Sequence, residues 1–171
     1  MTVLADWQIR ARCEAGMVVP FNPDLVNPAS LDVRLGPRIQ VEQIFTRKLR
    51  TIDISYTTPE RPYLIWPLQW LLAETVESFC LSDNIAAQFK LKSSRAREGI
   101  DHALAGFADP GWFGSKLTME LRNNRLLHRV PIWCGMRIGQ MKFEFMDALP
   151  TRSYALTGRY NNDTTVQESK G

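Results

Sequence analysis

Asp109-Pro-Gly-Trp-Phe-Gly-Ser-Lys-Leu-Thr-Met-Glu-Leu-Arg122 reads as a turn that runs into a strand. Asp-Pro-Gly is turn chemistry: proline presets φ and glycine accepts a positive φ. The residues that follow alternate. Leu117, Met119 and Leu121 fall on one face, and Thr118, Glu120 and Arg122 on the other, the period of a half-buried strand. Working outward, the same alternation recurs in Leu31–Leu35 and Arg38–Glu42. Trp70–Ala73, Ala87–Leu91 and Gln140–Phe145 are further short apolar runs. Pro20, Pro23, Pro28, Pro37, Pro59, Pro62 and Pro67 punctuate the first part of the chain and leave little room for long helices. Two short helices are expected. One starts after Asp6 as N-cap and ends at Ala15 with Gly16 beyond it; the other covers Ser94–Glu98. The sum is a mainly β chain of barrel, sandwich or jelly-roll type. It forms a single domain over residues 1–171, and its polar tail from Thr157 to Gly171 is expected to order only on binding.

Composition sets the bounds. The 171 residues carry 21 Lys plus Arg against 18 Asp plus Glu, a net charge of +3, which fits neither an acidic disordered tail nor a strongly basic nucleic-acid binder. The Arg47, Lys48 and Arg50 cluster reads as a solvated loop. No apolar run reaches the length of a transmembrane helix, and the amino-terminal residues show no signal-peptide pattern. Cys13, Cys80 and Cys134 are odd in number and widely spaced, which reads as packed thiols in a reducing, cytoplasmic setting. His102 and His128 are the only histidines; with so few His and Cys ligands, no zinc site is expected.

Three places could carry chemistry. In Lys92-Ser-Ser-Arg-Ala-Arg97, two hydroxyls and three cations crowd the start of a helical turn, a geometry suited to phosphate. A serine cap with solvated cations explains the same residues. Ala103–Gly114 is a loop whose Trp112 and Phe113 could meet a base or sugar, or could plug a hairpin. Glu120 is a carboxylate in an apolar strand. Partial burial would raise its pKa toward proton exchange near neutrality, whereas pairing with Arg122 or a cross-strand cation would make it an ordinary surface residue.

Together these segments resemble the dCTP deaminases of the dUTPase superfamily. Val26–Gly36 is similar to the family's Pro-Ala-Ser-x-Asp-Leu-Arg-Leu-Gly segment, and Lys92–Arg97 to its Ser-Ser-Leu-Ala-Arg. Asp109–Gly114 with Thr118–Leu121 is similar to its Asp-Pro-Gly turn and Glu-bearing strand, Gly135–Gln140 to its Gly-Met-x-Ile-Gly-Gln, and Tyr154 with Gly158–Tyr160 to its carboxyl-terminal motif.

The resemblance implies a distorted β-barrel or jelly roll of the dUTPase-like type, assembled as a homotrimer with active sites between subunits. It implies dCTP, or a related cytosine deoxynucleotide, as substrate, and no nucleic-acid or membrane partner. Mg2+ would ride on the triphosphate, without zinc and with no metal held by the protein itself. By resemblance Glu120 shuttles protons, Ser93 and the Ala105 carbonyl hold the water, and Arg97 orients Glu120 and the base. Lys92, Ser94 and Arg159 would meet phosphates, Asp109 the sugar 3′-hydroxyl, and Tyr154 the sugar. Trp112 would line the pocket and His102 would stand near it.

Departures are visible. Gly114 to Glu120 is one step longer than the family spacing, which calls for a bulge at Ser115 or Lys116 to keep strand parity. Arg159 replaces the family's usual lysine. Tyr160-Asn-Asn-Asp163 departs from the family's tail, so Asn162 or Gln167 is expected to take the closing role over the nucleotide, with the tail from about 157 as a lid. The leading expectation is hydrolysis of dCTP to dUTP and ammonia. The alternative is a bifunctional enzyme forming dUMP and pyrophosphate, which the similarity of Ala105-Gly-Phe107 to dUMP-forming members favours. A non-catalytic trimeric nucleotide binder is the third reading.

Overall fold

A computed structural model describes residues 2–171. In chain order the elements are β1 (Thr2–Val3), α1 (Asp6–Glu14), β2 (Val18–Val19), β3 (Val26–Asn27), β4 (Ser30–Gln43), β5 (Thr46–Asp53), β6 (Tyr63–Ile65), β7 (Trp70–Cys80) and β8 (Ile85–Leu91). There follow α2 (Ser93–Arg97), β9 (Ile100–His102), β10 (Phe107–Ala108), β11 (Phe113–Asn123), β12 (Val130–Ile132), β13 (Arg137–Phe145) and α3 (Tyr154–Thr157). A 3-10 turn occupies Pro23–Leu25.

One strand organises the rest. The two alternating runs at Leu31–Leu35 and Arg38–Glu42 are halves of β4. Its first half pairs with β13, and its second half pairs with β7 and β5. The register breaks between Leu35 and Ile39, across Gly36-Pro37. There the strand bends and joins two halves of one curled sheet, ordered β10-β8-β13-β4-β7-β11-β9. A small separate sheet pairs β6 with β12. Between the curled layers lies an apolar core that includes Leu31, Val33, Leu35, Ile39, Phe79, Met119, Leu121 and Phe143. The mainly β expectation therefore holds.

Several details correct the sequence reading. Helix α1 starts at Asp6 with Ala5 as N-cap, and Gln8 Oε1 accepts the Ala5 N–H at 2.9 Å. Gly16 follows it at φ +97°, as expected of a residue beyond a helix end. Arg47, Lys48 and Arg50 lie on β5, an exposed strand and not a loop. All three cysteines are free thiols; Cys13 is buried, Cys134 half-buried and Cys80 exposed, so only Cys13 fits the expectation of a packed thiol. Burial pushes the Cys13 thiol up to about 12, which leaves it unreactive. Helix α3 was not expected. Among the described residues no helix is long and apolar enough to cross a membrane.

Candidate active site

The polar face of β11 forms the floor of a cavity of about 470 Å³. Its placement depends on one glycine. Phe113 pairs with Cys80 and Ser115 with Phe79, so Gly114 is the extra residue of a bulge. It sits at φ +66°, a conformation glycine adopts without strain. The expected bulge exists, one residue earlier than Ser115. From Ser115 onward burial alternates without interruption. Ser115, Leu117, Met119 and Leu121 are buried, while Lys116, Thr118 and Glu120 are half-buried and line the cavity, which Leu117 also borders.

Glu120 meets His102 across the β9–β11 pairing. His102 Nε2 lies 3.5 Å from Glu120 Oε2, and neither atom has another partner among the described residues. The Leu104 N–H donates to His102 Nδ1 at 3.2 Å, so a neutral imidazole carries its proton on Nε2, toward Glu120. Leu104 takes φ +62° to make that contact. Burial holds the Glu120 carboxyl above its ordinary value, against the pull of a hydrogen bond from its own backbone. Burial likewise lowers His102, with Asp101 acting in the opposite sense. Both shifts favour the neutral forms over a fixed ion pair. The expected alternative of Glu120 bound to Arg122 is not what the chain does, because Arg122 is exposed on the strand beyond it.

The loop after β9 closes one side. Ala105 and Phe107 line the cavity, and the Gly106 carbonyl accepts the Phe89 N–H at 2.7 Å. The Asp-Pro-Gly turn forms as expected: the Trp112 N–H donates to the Asp109 carbonyl at 3.1 Å and Gly111 takes φ +86°. It delivers Asp109 to the cavity. Trp112 also lines it, but its ring is buried and stacked on Phe79 at 5.4 Å, and its Nε1 donates to the Tyr160 carbonyl at 2.9 Å. Much of Trp112 is thus core, with one edge holding the tail.

The tail forms the far wall through Tyr154, Tyr160, Asp163, Gln167, Glu168 and Ser169. It is docked against β11. The Gln167 N–H donates to Thr118 Oγ1 at 3.1 Å, and Asn161 Oδ1 accepts the Phe113 N–H at 3.0 Å. Asn162 sits outside the cavity at φ +62° and ties its N–H to the Phe113 carbonyl. Of the two candidates for the closing role, Gln167 is the one at the cavity. Lys170 neutralises Asp163 with contacts of 2.7 and 2.8 Å.

Not every candidate gathers here. Ser93, Ser94 and Arg97 sit on α2 and line no part of this cavity. Lys92 is engaged elsewhere: its Nζ contacts both oxygens of buried Asp32 at 2.7 and 2.6 Å. Arg159 is exposed, and its carbonyl accepts from Lys170. Trp70, Leu72, Lys116 and Thr118 belong to the cavity and were missed by sequence reading. Lys116 and Thr118 share the parity of Glu120, which was the available signal. Among the described residues no group of three or more His, Cys, Asp or Glu side chains could hold a metal ion.

Comparison with known proteins meets this geometry. A family model described as dCTP deaminase-like matches residues 3–146. The chain belongs to the dCTP deaminase-like family. A relative from Kocuria rhizophila, named dCTP deaminase, dUMP-forming, is 34% identical over 94% of this chain and 88% of its own length. One from Methanospirillum hungatei with the same name is 38% identical over 82% of this chain and 80% of its own. The solved structure of 2′-deoxycytidine 5′-triphosphate deaminase from Agrobacterium tumefaciens shares the fold, with a TM-score of 0.69 at 22% identity. That match covers 91% of this chain but only 51% of the solved one, so the chain spans about half its length.

Proposed function

We propose that the chain hydrolyses dCTP to dUMP, pyrophosphate and ammonia. The observation that carries the reading is Glu120, a half-buried carboxyl of raised pKa on the cavity floor, with Ala105 and Asp109 around it. A non-catalytic binder would have no need of such a group. The dUMP-forming names of the relatives support the second product, the alternative reading, better than dUTP as the end point. Ala105 and Phe107 of the loop similar to that of dUMP-forming members line the cavity.

The steps follow from the side chains. Glu120 takes a proton from a water directed at C4 of cytosine and passes it to N3. It then carries the second proton to the departing amine, and ammonia leaves as C4 becomes a carbonyl. General acid–base work of this kind contributes roughly 10²–10⁴-fold. His102 Nε2–H stabilises the carboxylate whenever Glu120 is ionised. A second water cleaves the bond between the α- and β-phosphates, releasing pyrophosphate. Asp109, which lines the cavity, would receive the sugar 3′-hydroxyl.

The cavity of one chain presents Asp109, Glu120, Asp163 and Glu168, with Lys116 as its cation. A triphosphate therefore needs positive charge from elsewhere. Helix α2, with Ser93, Ser94 and Arg97, supplies it in our reading from a second copy within a homotrimer. Magnesium, carried on the phosphate oxygens, would neutralise part of their charge; the protein offers it no cage among the described residues.

The test is a product assay with dCTP and magnesium, resolved by ion exchange, with Glu120→Gln run beside it. We expect dUMP and pyrophosphate from the parent protein and unchanged dCTP from the variant. Turnover by the variant at the parent rate would overturn the role of Glu120.

A further inference from the structure

Glu74 stands under the active site and plays no part in the steps above. It is fully buried, on β7 opposite Thr118. Its oxygens face three donors. Lys116 Nζ reaches Oε1 at 3.1 Å, the Val166 N–H reaches Oε2 at 2.8 Å, and the Thr165 hydroxyl reaches Oε2 at 2.9 Å. One donor comes from the cavity floor and two from the tail. Space for the side chain is made by Gly36, where a Cβ would stand 2.6 Å from Glu74 Cγ. The strand pairing also opens here. Lys116 pairs with Ser78 and Thr118 with Glu74, so β7 spends four steps where β11 spends two.

Besides Glu74, residues 164–167 are tied to β11 by the Gln167 N–H, which donates to Thr118 Oγ1 at 3.1 Å. Val166 is the only buried residue between 157 and 171. Tyr160 is held further back by Trp112 and Ser115, and Asp163 is tied to β11 by the Lys116 N–H, which donates to its carbonyl at 2.8 Å, and by its own N–H, which donates to Ser115 Oγ at 3.1 Å. Hydrogen bonds to a charged acceptor are roughly twice as strong as neutral ones, and here the charge is shielded from water and balanced by Lys116.

We propose that Glu74 is a positioning residue of the active site, whose buried carboxylate clamps Thr165 and Val166 to the cavity floor and so sets Gln167 as a standing wall of the nucleotide pocket. The kinetic consequence rests on the proposed function; the clamp itself does not. A wall that is already in place lowers KM without touching the reacting atoms. Removing the clamp then raises KM while kcat is held.

The clamp is tested by amide hydrogen exchange on the full chain for Glu74→Gln and for the double variant Glu74→Leu with Lys116→Met. The first sets an amide NH2 against donors. The second removes both charges together and leaves no buried ion unpaired, so that the fold survives. Exchange of Val166 and Gln167 should accelerate at least about tenfold in both, with β13 amides unchanged; in Glu74→Gln, which keeps Lys116 in the cavity, KM for dCTP should rise about tenfold with kcat within about twofold. Unchanged Val166 protection in the double variant would overturn the clamp. So would loss of β13 protection alongside the tail, which would make Glu74 a residue of the fold alone, and so would a fall in kcat at constant KM. If the parent protein leaves dCTP untouched, the proposed function fails and exchange alone decides the clamp.

Discussion

At the scale of single residues, the account turns on a carboxyl held partly out of water. Ionised Glu120 is disfavoured by burial, and the native chain binds its proton more tightly than the unfolded chain does. This contribution to stability is therefore lost as pH rises from the ordinary carboxylate range through the raised value. Glu120→Gln removes that slope. We expect its melting temperature at pH 7–8 to match or exceed the parent's, while kcat/KM falls at least about 10²-fold; scanning calorimetry and steady-state assays check the pair. The acid limb of the parent's pH–rate profile should lie above the ordinary carboxylate pKa, because the water proton needs an ionised Glu120. A limb at the value of a free glutamate would show that burial does not govern the group. His102 bears on the same atom but titrates the other way, since burial lowers its pKa.

At the scale of elements, the site depends on where strands break register. β4 crosses β7 at Gly36, and a Cβ there would meet Glu74 Cγ at 2.6 Å and the Thr75 carbonyl at 2.8 Å. A backbone oxygen cannot step aside, so Gly36→Ala should cost about 1–3 kcal/mol, the usual toll of overpacking, read from urea unfolding. An unchanged midpoint would mean the crossing is loose. Much of this layer was legible in the sequence. The alternation of Leu117 to Arg122 placed Glu120 on the polar face, and the extra step after Gly114 demanded a bulge, which the chain provides. Other parts were not legible. Trp70–Ala73 shows only the start of β7, because burial on both faces gives β7 no alternating pattern. The basic cluster on β5 hid a strand whose side chains are mostly exposed. The tail's docking was invisible because it uses contacts distant in sequence, with Trp112, Ser115 and Thr118 and with Glu74, which a linear reading cannot place beneath residues 165 and 166.

At the scale of the whole molecule, the cavity and α2 lie apart in one chain, and the proposed trimer reunites them. Glu120→Gln and Arg97→Ala should each be inactive alone. Refolded together in equal amounts, they should recover about a quarter of parental activity, the share of sites that random assortment leaves intact when two copies build each one. No recovery from the mixed protein would place α2 and Glu120 in sites of a single chain, or outside any common site. Sedimentation velocity on the same samples reports whether the assembly has three copies.

The most direct measurement follows ammonia and pyrophosphate together from dCTP and magnesium in one time course. Both should appear at the same rate and in equal amounts, with dUMP as the nucleotide product. Ammonia released without pyrophosphate would contradict the dUMP-forming reading, and release of neither would contradict the assignment of the Glu120 cavity to dCTP.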